Sequence, residues 1–209
     1  MVLPLSAIPA APRENEPADA VHESADTLAL LARRRSVKLM QLTEPAPSGA
    51  EIDALIALAG RVPDHGKLGP WRFVVIEGEA RERAGAALAD VIKHDEGVDD
   101  NRIAFVRNWF ARAPACVMVV STAAPHPKIP EWEQQLSAAA AAFSLLIAAH
   151  ALGYAGCWLT EWPAYDTRAR AALGLAEHER VAGFVYLGSA QGQAMERVRA
   201  DVASRISRF

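Results

Sequence analysis

The chain has 209 residues, 51% of them hydrophobic and 22% charged, with 13 glycines and 13 prolines; this excludes a disordered, collagen-like or low-complexity protein and fits one domain with short appendages. The formal net charge is −3, so there is no polybasic field to hold nucleic acid by its phosphates. Cys116 and Cys157 stand far apart with no Cys-x-x-Cys pattern, which argues against a disulfide framework or zinc site and for a reducing, cytoplasmic setting.

The opening MVLPLSAIPAA is apolar, but two prolines interrupt it and no basic residue precedes it, so a signal peptide is not expected. With the polar stretch Pro12–Ser24 it is expected to form a flexible arm over residues 1–24, or an arm ordered on a partner subunit, ahead of one domain over 25–209. From Asp26, the spacing of Leu28, Leu31 and Ala32 predicts a helix that runs into Arg33-Arg34-Arg35-Ser36. Ser48 with Glu51 three residues on forms a capping box, and Ile52, Leu55, Ile56 and Ala59 continue at helical spacing. VPDHGKLGP (62–70) is a loop and WRFVVIE (71–77) a strand. Helices are expected over about 79–93 and 101–111 with an acidic loop between, then a buried strand at 115–122.

The longest helical candidate is 132–152, uncharged from Gln134 to Tyr154 if His150 is neutral. Its length raises the question of a membrane span. An alanine-rich first half and the absence of a following basic flank favour a core or interface helix, with Gly153 as its stop. Strands at about 155–159 and 181–187, with a short helix near 166–173, complete an α+β or α/β three-layer pattern with four strands.

There is no P-loop, GxGxxG, GxSxG or HExxH, and the six histidines have no partners at metal-ligand spacing, so no metal site is implied. Three other motifs remain. Arg33-Arg34-Arg35-Ser36 offers guanidinium forks and a hydroxyl suited to an anion, although basic residues at a helix end also simply complement the macrodipole. Arg61-Val62-Pro63-Asp64-His65 is a turn ahead of a strand, either a functional loop or an ordinary exposed turn. Gly156-Cys157-Trp158-Leu159-Thr160-Glu161-Trp162 sets two aromatics beside a strand end, as a site wall or as core packing.

In this order the motifs resemble the FMN-dependent nitroreductase family, and within it the small YdjA-like NAD(P)H nitroreductase subgroup. The likeness is carried by Arg34-Arg35-Ser36, by Arg61-x-Pro63-Asp64-His65-x4-Pro70-Trp71-x-Phe73-x-Val75-Ile76-Glu77-Gly78-Glu79 and by Pro130-x-Trp132-Glu133-Gln134. Gly153-Tyr154-x-Gly156-x-Trp158 and Val181-x-Gly183-Phe184-x-Tyr186-Leu187-Gly188 continue it, so that it covers roughly residues 26–190.

The resemblance implies an α+β nitroreductase-like three-layer fold, a central mixed sheet flanked by helices, and a homodimer with FMN at the subunit interface. It also implies ping-pong hydride transfer from NADH or NADPH through FMN to an electron-poor small-molecule acceptor such as a nitroaromatic or quinone. A flavin-binding sensor or carrier with little turnover is the alternative. Neither nucleic acid nor membrane is an implied partner. Arg34, Arg35 and Ser36 would meet the flavin phosphate and ring edge, Arg61, Pro63, Asp64 and His65 would be further flavin contacts, and Trp158, Leu159 and Thr160 would line the isoalloxazine. The flavin carries the chemistry, so no protein nucleophile is required. Leu159 and Thr160 stand where the subgroup often has Arg and Ser, so a donor to the flavin edge is missing or replaced by backbone N–H groups.

Overall fold

A computed structural model describes residues 2–18 and 22–209. Ser48 caps helix α2 (Gly49–Ala59): its hydroxyl accepts from the Glu51 amide while the Glu51 carboxylate accepts from the Ser48 amide. Helix α1 (Ala25–Arg33) begins at Ser24, whose side chain accepts from the Thr27 amide. It ends one residue earlier than the basic run suggests, because Arg34 already has extended backbone at ψ 140°.

Strand β2 (Trp71–Glu77) pairs with β3 (Ala115–Ser121), and β3 with β5 (Arg180–Ala190). On its other side β5 pairs with β4 (Ala155–Leu159) and with a two-residue strand, β1 (Leu42–Thr43). Too short to show periodicity, β1 is a fifth strand that the sequence pattern does not announce. Every pairing among the described residues is antiparallel, which corrects the expected mixed sheet. The reason is topological. Helix α5 (Glu131–Leu152) carries the chain from β3 to β4 in the same direction, but β5 inserts between those two strands and opposes both.

Strand alternation divides β3 between two cores, which explains its uninterrupted apolar run. Cys116, Met118 and Val120 face α3 (Ala80–Ile92), α4 (Asp100–Arg107) and Phe110. Ala115, Val117 and Val119 face α2 and α5, through residues such as Leu55, Leu145 and Ala149. Helix α5 is long and apolar enough to cross a bilayer. Nine of its residues, from Gln134 to Leu152, are nevertheless buried in the protein itself, as a core helix requires. Gly153 terminates it at φ 105°, a left-handed conformation that suits a residue without Cβ. The outer side of α5 leaves Leu136 and Phe143 exposed, with Trp132 beside them.

Of the segment expected as an arm, residues 19–21 and Met1 lie outside the described part. The Leu3 amide donates to the Leu152 carbonyl at 2.8 Å, and Val2 and Ile8 pack against the α2–α5 core. Helix α6 (Thr167–Ala172), capped by Asp166, lies between β4 and β5 in sequence.

Candidate functional site

Beyond α1 the chain runs extended, and the Val37 amide donates to the Gly156 carbonyl on β4 at 3.1 Å. That bond brings the first and third sequence motifs together. Arg34, Arg35, Ser36 and Lys38 line a cavity of about 430 Å³ together with Cys157, Trp158 and Leu159. Phe143 and Leu146 of α5 supply further apolar wall, and Arg197 and Arg199 of the C-terminal tail close the cationic side. The volume suits a small-molecule or cofactor site.

The cationic side lacks sufficient counter-charge. Burial lowers the Arg34 pKa, with Arg199, Arg35 and Arg197 adding repulsion in that order. The Nε atoms of Arg34 and Arg35 are sealed from solvent with no hydrogen-bond partner among the described residues, while Arg34 Nη2 donates to Ser36 Oγ at 3.3 Å. Glu196 answers part of the charge, 3.7 Å from Arg35 and accepting from Arg199 Nε at 3.0 Å. Among the described residues, one carboxylate for four guanidinium groups leaves strong positive potential and unused donors, which together fit an anionic ligand. His150, also beside Arg34, has both ring nitrogens sealed from solvent; burial and Arg34 depress its pKa to about 4 against a weaker opposing backbone contact with Gly156, so it is neutral at pH 7.

In the same cavity, Trp158 is fixed by its indole N–H, which donates to the Ala182 carbonyl at 3.0 Å. The ring lies over Gly183, where a Cβ would sit 1.7 Å from Trp158 Nε1; only glycine fits. Cys157 is buried, and burial together with Glu161 pushes its thiol up to about 12. It is therefore a protonated thiol and no nucleophile at neutral pH.

The other expected site residues are placed differently. Thr160 does not line the cavity; its hydroxyl accepts from Tyr165 Oη at 2.8 Å. Arg61, Pro63 and His65 are exposed, and the Arg61–His65 turn lies outside this cavity within one chain. Pro63 and His65 line a separate hollow with Glu133, Leu136, Ser137 and Ala140. His65 Nδ1 is 2.8 Å from Glu133 Oε2, and Ser137 Oγ donates to the Pro63 carbonyl at 2.8 Å. Asp64 shapes the turn itself: its carboxylate accepts from the Leu68 amide at 3.2 Å and the Gly69 amide at 2.8 Å.

Sequence reasoning passed over Arg197 and Arg199, which lie beyond the recognisable motifs. Their spacing of two was an available signal, since alternate residues of an extended chain face one side.

The sequence profile of the Nitroreductase family matches residues 31–189. The chain belongs to the nitroreductase family. YdjA of Escherichia coli (strain K12), which carries the provisional name NAD(P)H nitroreductase, is 40% identical over 173 residues, 81% of this chain and 91% of YdjA. A Haemophilus influenzae protein with the same kind of provisional name is 36% identical over 176 residues, 83% of this chain and 94% of that protein. Among solved structures, a nitroreductase-like family protein from Bacillus cereus superposes with a TM-score of 0.77 at 20% identity, covering 92% of this chain and 99% of its own. A Bacteroides fragilis nitroreductase with bound FMN gives 0.65 at 21% identity, covering 89% and 100%. These two share the nitroreductase fold. Both tail arginines of the cavity fall outside the span that the family profile matches.

Proposed function

We propose that this nitroreductase-family protein binds FMN in the Arg34–Trp158 cavity and uses it as an NAD(P)H-dependent oxidoreductase on electron-poor acceptors such as nitroaromatics or quinones. The observation that carries this is the juxtaposition of unpartnered, sealed guanidinium Nε atoms with an apolar aromatic wall in one cavity. FMN has both matching parts: a phosphate dianion and a flat, largely apolar ring system. The names of the relatives, NAD(P)H nitroreductases, point the same way.

Bound FMN supplies hydride transfer between NAD(P)H and the acceptor. The chain's own residues bind and shield. Arg34, Arg35 and Ser36 hold the phosphate, and Arg197 and Arg199 add charge from the tail. Trp158, Leu159, Phe143 and Leu146 exclude water from the ring, which strengthens each electrostatic contact in the cavity. Cys157 stays protonated beside it, so the wall adds no competing nucleophile.

The working form is a homodimer in the cytoplasm. The exposed Leu136 and Phe143 on α5 support the dimer, because Phe143 lines the cavity and Leu136 the His65 hollow. Arg61, Pro63, Asp64 and His65, outside their own chain's cavity, would then serve the site of the partner subunit. Purified protein should carry flavin absorbance or take up FMN stoichiometrically, and should then consume NADH or NADPH at steady state with a nitroaromatic or quinone. Protein that takes up no FMN refutes the site, and loaded protein without turnover refutes the enzyme.

A further inference from the structure

Glu161 follows the cavity-lining Leu159 by two residues and has φ 56° and ψ 176°. This backbone region is nearly confined to glycine, because a Cβ there crowds the flanking peptide groups; another residue keeps it only where its surroundings dictate it. The surroundings are an ion-pair cluster. Arg112 donates from its two terminal nitrogens to the two Glu161 carboxylate oxygens, each at 2.8 Å, and from Nε to the Trp109 carbonyl at 2.7 Å. Tyr186 Oη donates to Glu161 Oε2 at 3.0 Å.

The same cluster grips the next residue. The Arg112 guanidinium lies 4.0 Å over the Trp109 ring, and Trp109 packs edge-on against Trp162 with centroids 5.8 Å apart. The Arg112 and Glu161 side chains are 16% and 19% exposed, so solvent screens the pair weakly. Tyr186 is fully buried, and its register partners on the flanking strands are Cys116 and Cys157. Cys157 also lines the cavity, so cluster and cavity share a wall.

Stability alone does not call for this arrangement. Apolar residues packed in place of a buried ion pair are often neutral or stabilising, and glycine at 161 would remove the backbone strain. A strained residue held by a desolvated pair is what a segment needs when its exact course matters.

We propose that the Arg112–Glu161–Tyr186 cluster is a positioning clamp that locks the end of β4, so that Trp158 and Leu159 present a rigid wall to the flavin ring. Arg112 and Glu161 are positioning residues; they act through the strand end. What the wall contacts rests on the FMN reading, whereas the locking of the strand end does not.

The test is the double variant Arg112→Met/Glu161→Gly, which removes both charges together and relieves the backbone, compared with wild type. In flavin-free protein, amide hydrogen exchange over Leu159–Trp162 should quicken by about tenfold or more, with the rest of the sheet still protected. The FMN dissociation constant, read by flavin fluorescence, should rise by about tenfold or more, and the absorbance bands of bound flavin should shift. If the double variant does not fold, Glu161→Gln keeps the side-chain shape and one acceptor oxygen and carries the same test at about threefold amplitude. Unchanged exchange overturns the clamp, and so does faster exchange with unchanged FMN affinity and spectrum. Wild-type protein that binds no FMN refutes the proposed function instead, and the exchange comparison then decides whether the clamp locks the strand.

Discussion

Replacing Arg34 by alanine should move two properties in opposite directions. In flavin-free protein the Arg34 guanidinium is partly desolvated and faces Arg199, Arg35 and Arg197, so its removal relieves repulsion. The melting temperature without FMN should therefore stay level or rise. With FMN, the variant loses a charge-assisted contact to the phosphate that contributes about 1.5–3 kcal/mol. At 1.4 kcal/mol per tenfold, FMN affinity should fall by roughly 10- to 150-fold. The Arg199 contact to the Arg34 backbone carbonyl, at 3.5 Å, does not depend on the side chain and survives. Lys38, which lines the same cavity but is absent from the groups that shift Arg34, is the comparison. Lys38→Ala should cost less than about fivefold, in the range of a solvent-screened pair. Flavin fluorescence titration and thermal melts of both variants, with and without FMN, provide the measurement. Equal losses for Arg34→Ala and Lys38→Ala would show that general positive potential holds the flavin, and would refute a specific Arg34 contact.

Light scattering should give about twice the 22.5 kDa chain mass, and a stable FMN-loaded monomer would remove the shared-site arrangement. Gly183→Ala puts a Cβ 1.7 Å from Trp158 Nε1 and must displace the indole. It should destabilise the fold by about 1–3 kcal/mol and weaken FMN binding, and unchanged melting with unchanged affinity would refute the role given to Trp158. Arg72 donates to the buried Glu179 carboxylate at 2.7 and 2.6 Å, which holds its pKa down to about 2 against an ordinary 4.5. The folded value is the lower one, so this stabilisation is complete above about pH 4.5 and is lost as the pH falls towards 2. The melting-temperature gap between wild type and Glu179→Gln should narrow over that interval, and a constant gap would refute the pairing as its source.

The features legible in the sequence are those whose physics is complete within a few residues. Ser48 and Glu51 satisfy each other's amides across one turn, so the start of α2 follows from spacing alone. Gly153 can take φ 105° wherever it stands, and the end of α5 follows. The apolar run 115–121 required cover on both faces whatever the topology, and the structure supplies it from two cores. Arg34 and Ser36 read in the sequence as a candidate anion motif, since guanidinium and hydroxyl donors suit an anion, and the structure sets both on one cavity.

Tertiary structure decided what depends on distant partners. Insertion of β5 between β3 and β4 makes the sheet antiparallel, and no local pattern encodes which strand enters last. The cavity joins residues 34–38, 143–146, 157–159 and 197–199, segments brought together by packing and by the Val37–Gly156 bond. Arg61 and His65 share a motif order with that cavity yet lie elsewhere in the chain's own fold, because order along a chain does not determine distance in space. Glu161 at φ 56° is the clearest case. Its residue type argues against that backbone, and its partners there are distant in sequence: Arg112, 49 residues before it, and Tyr186 on β5.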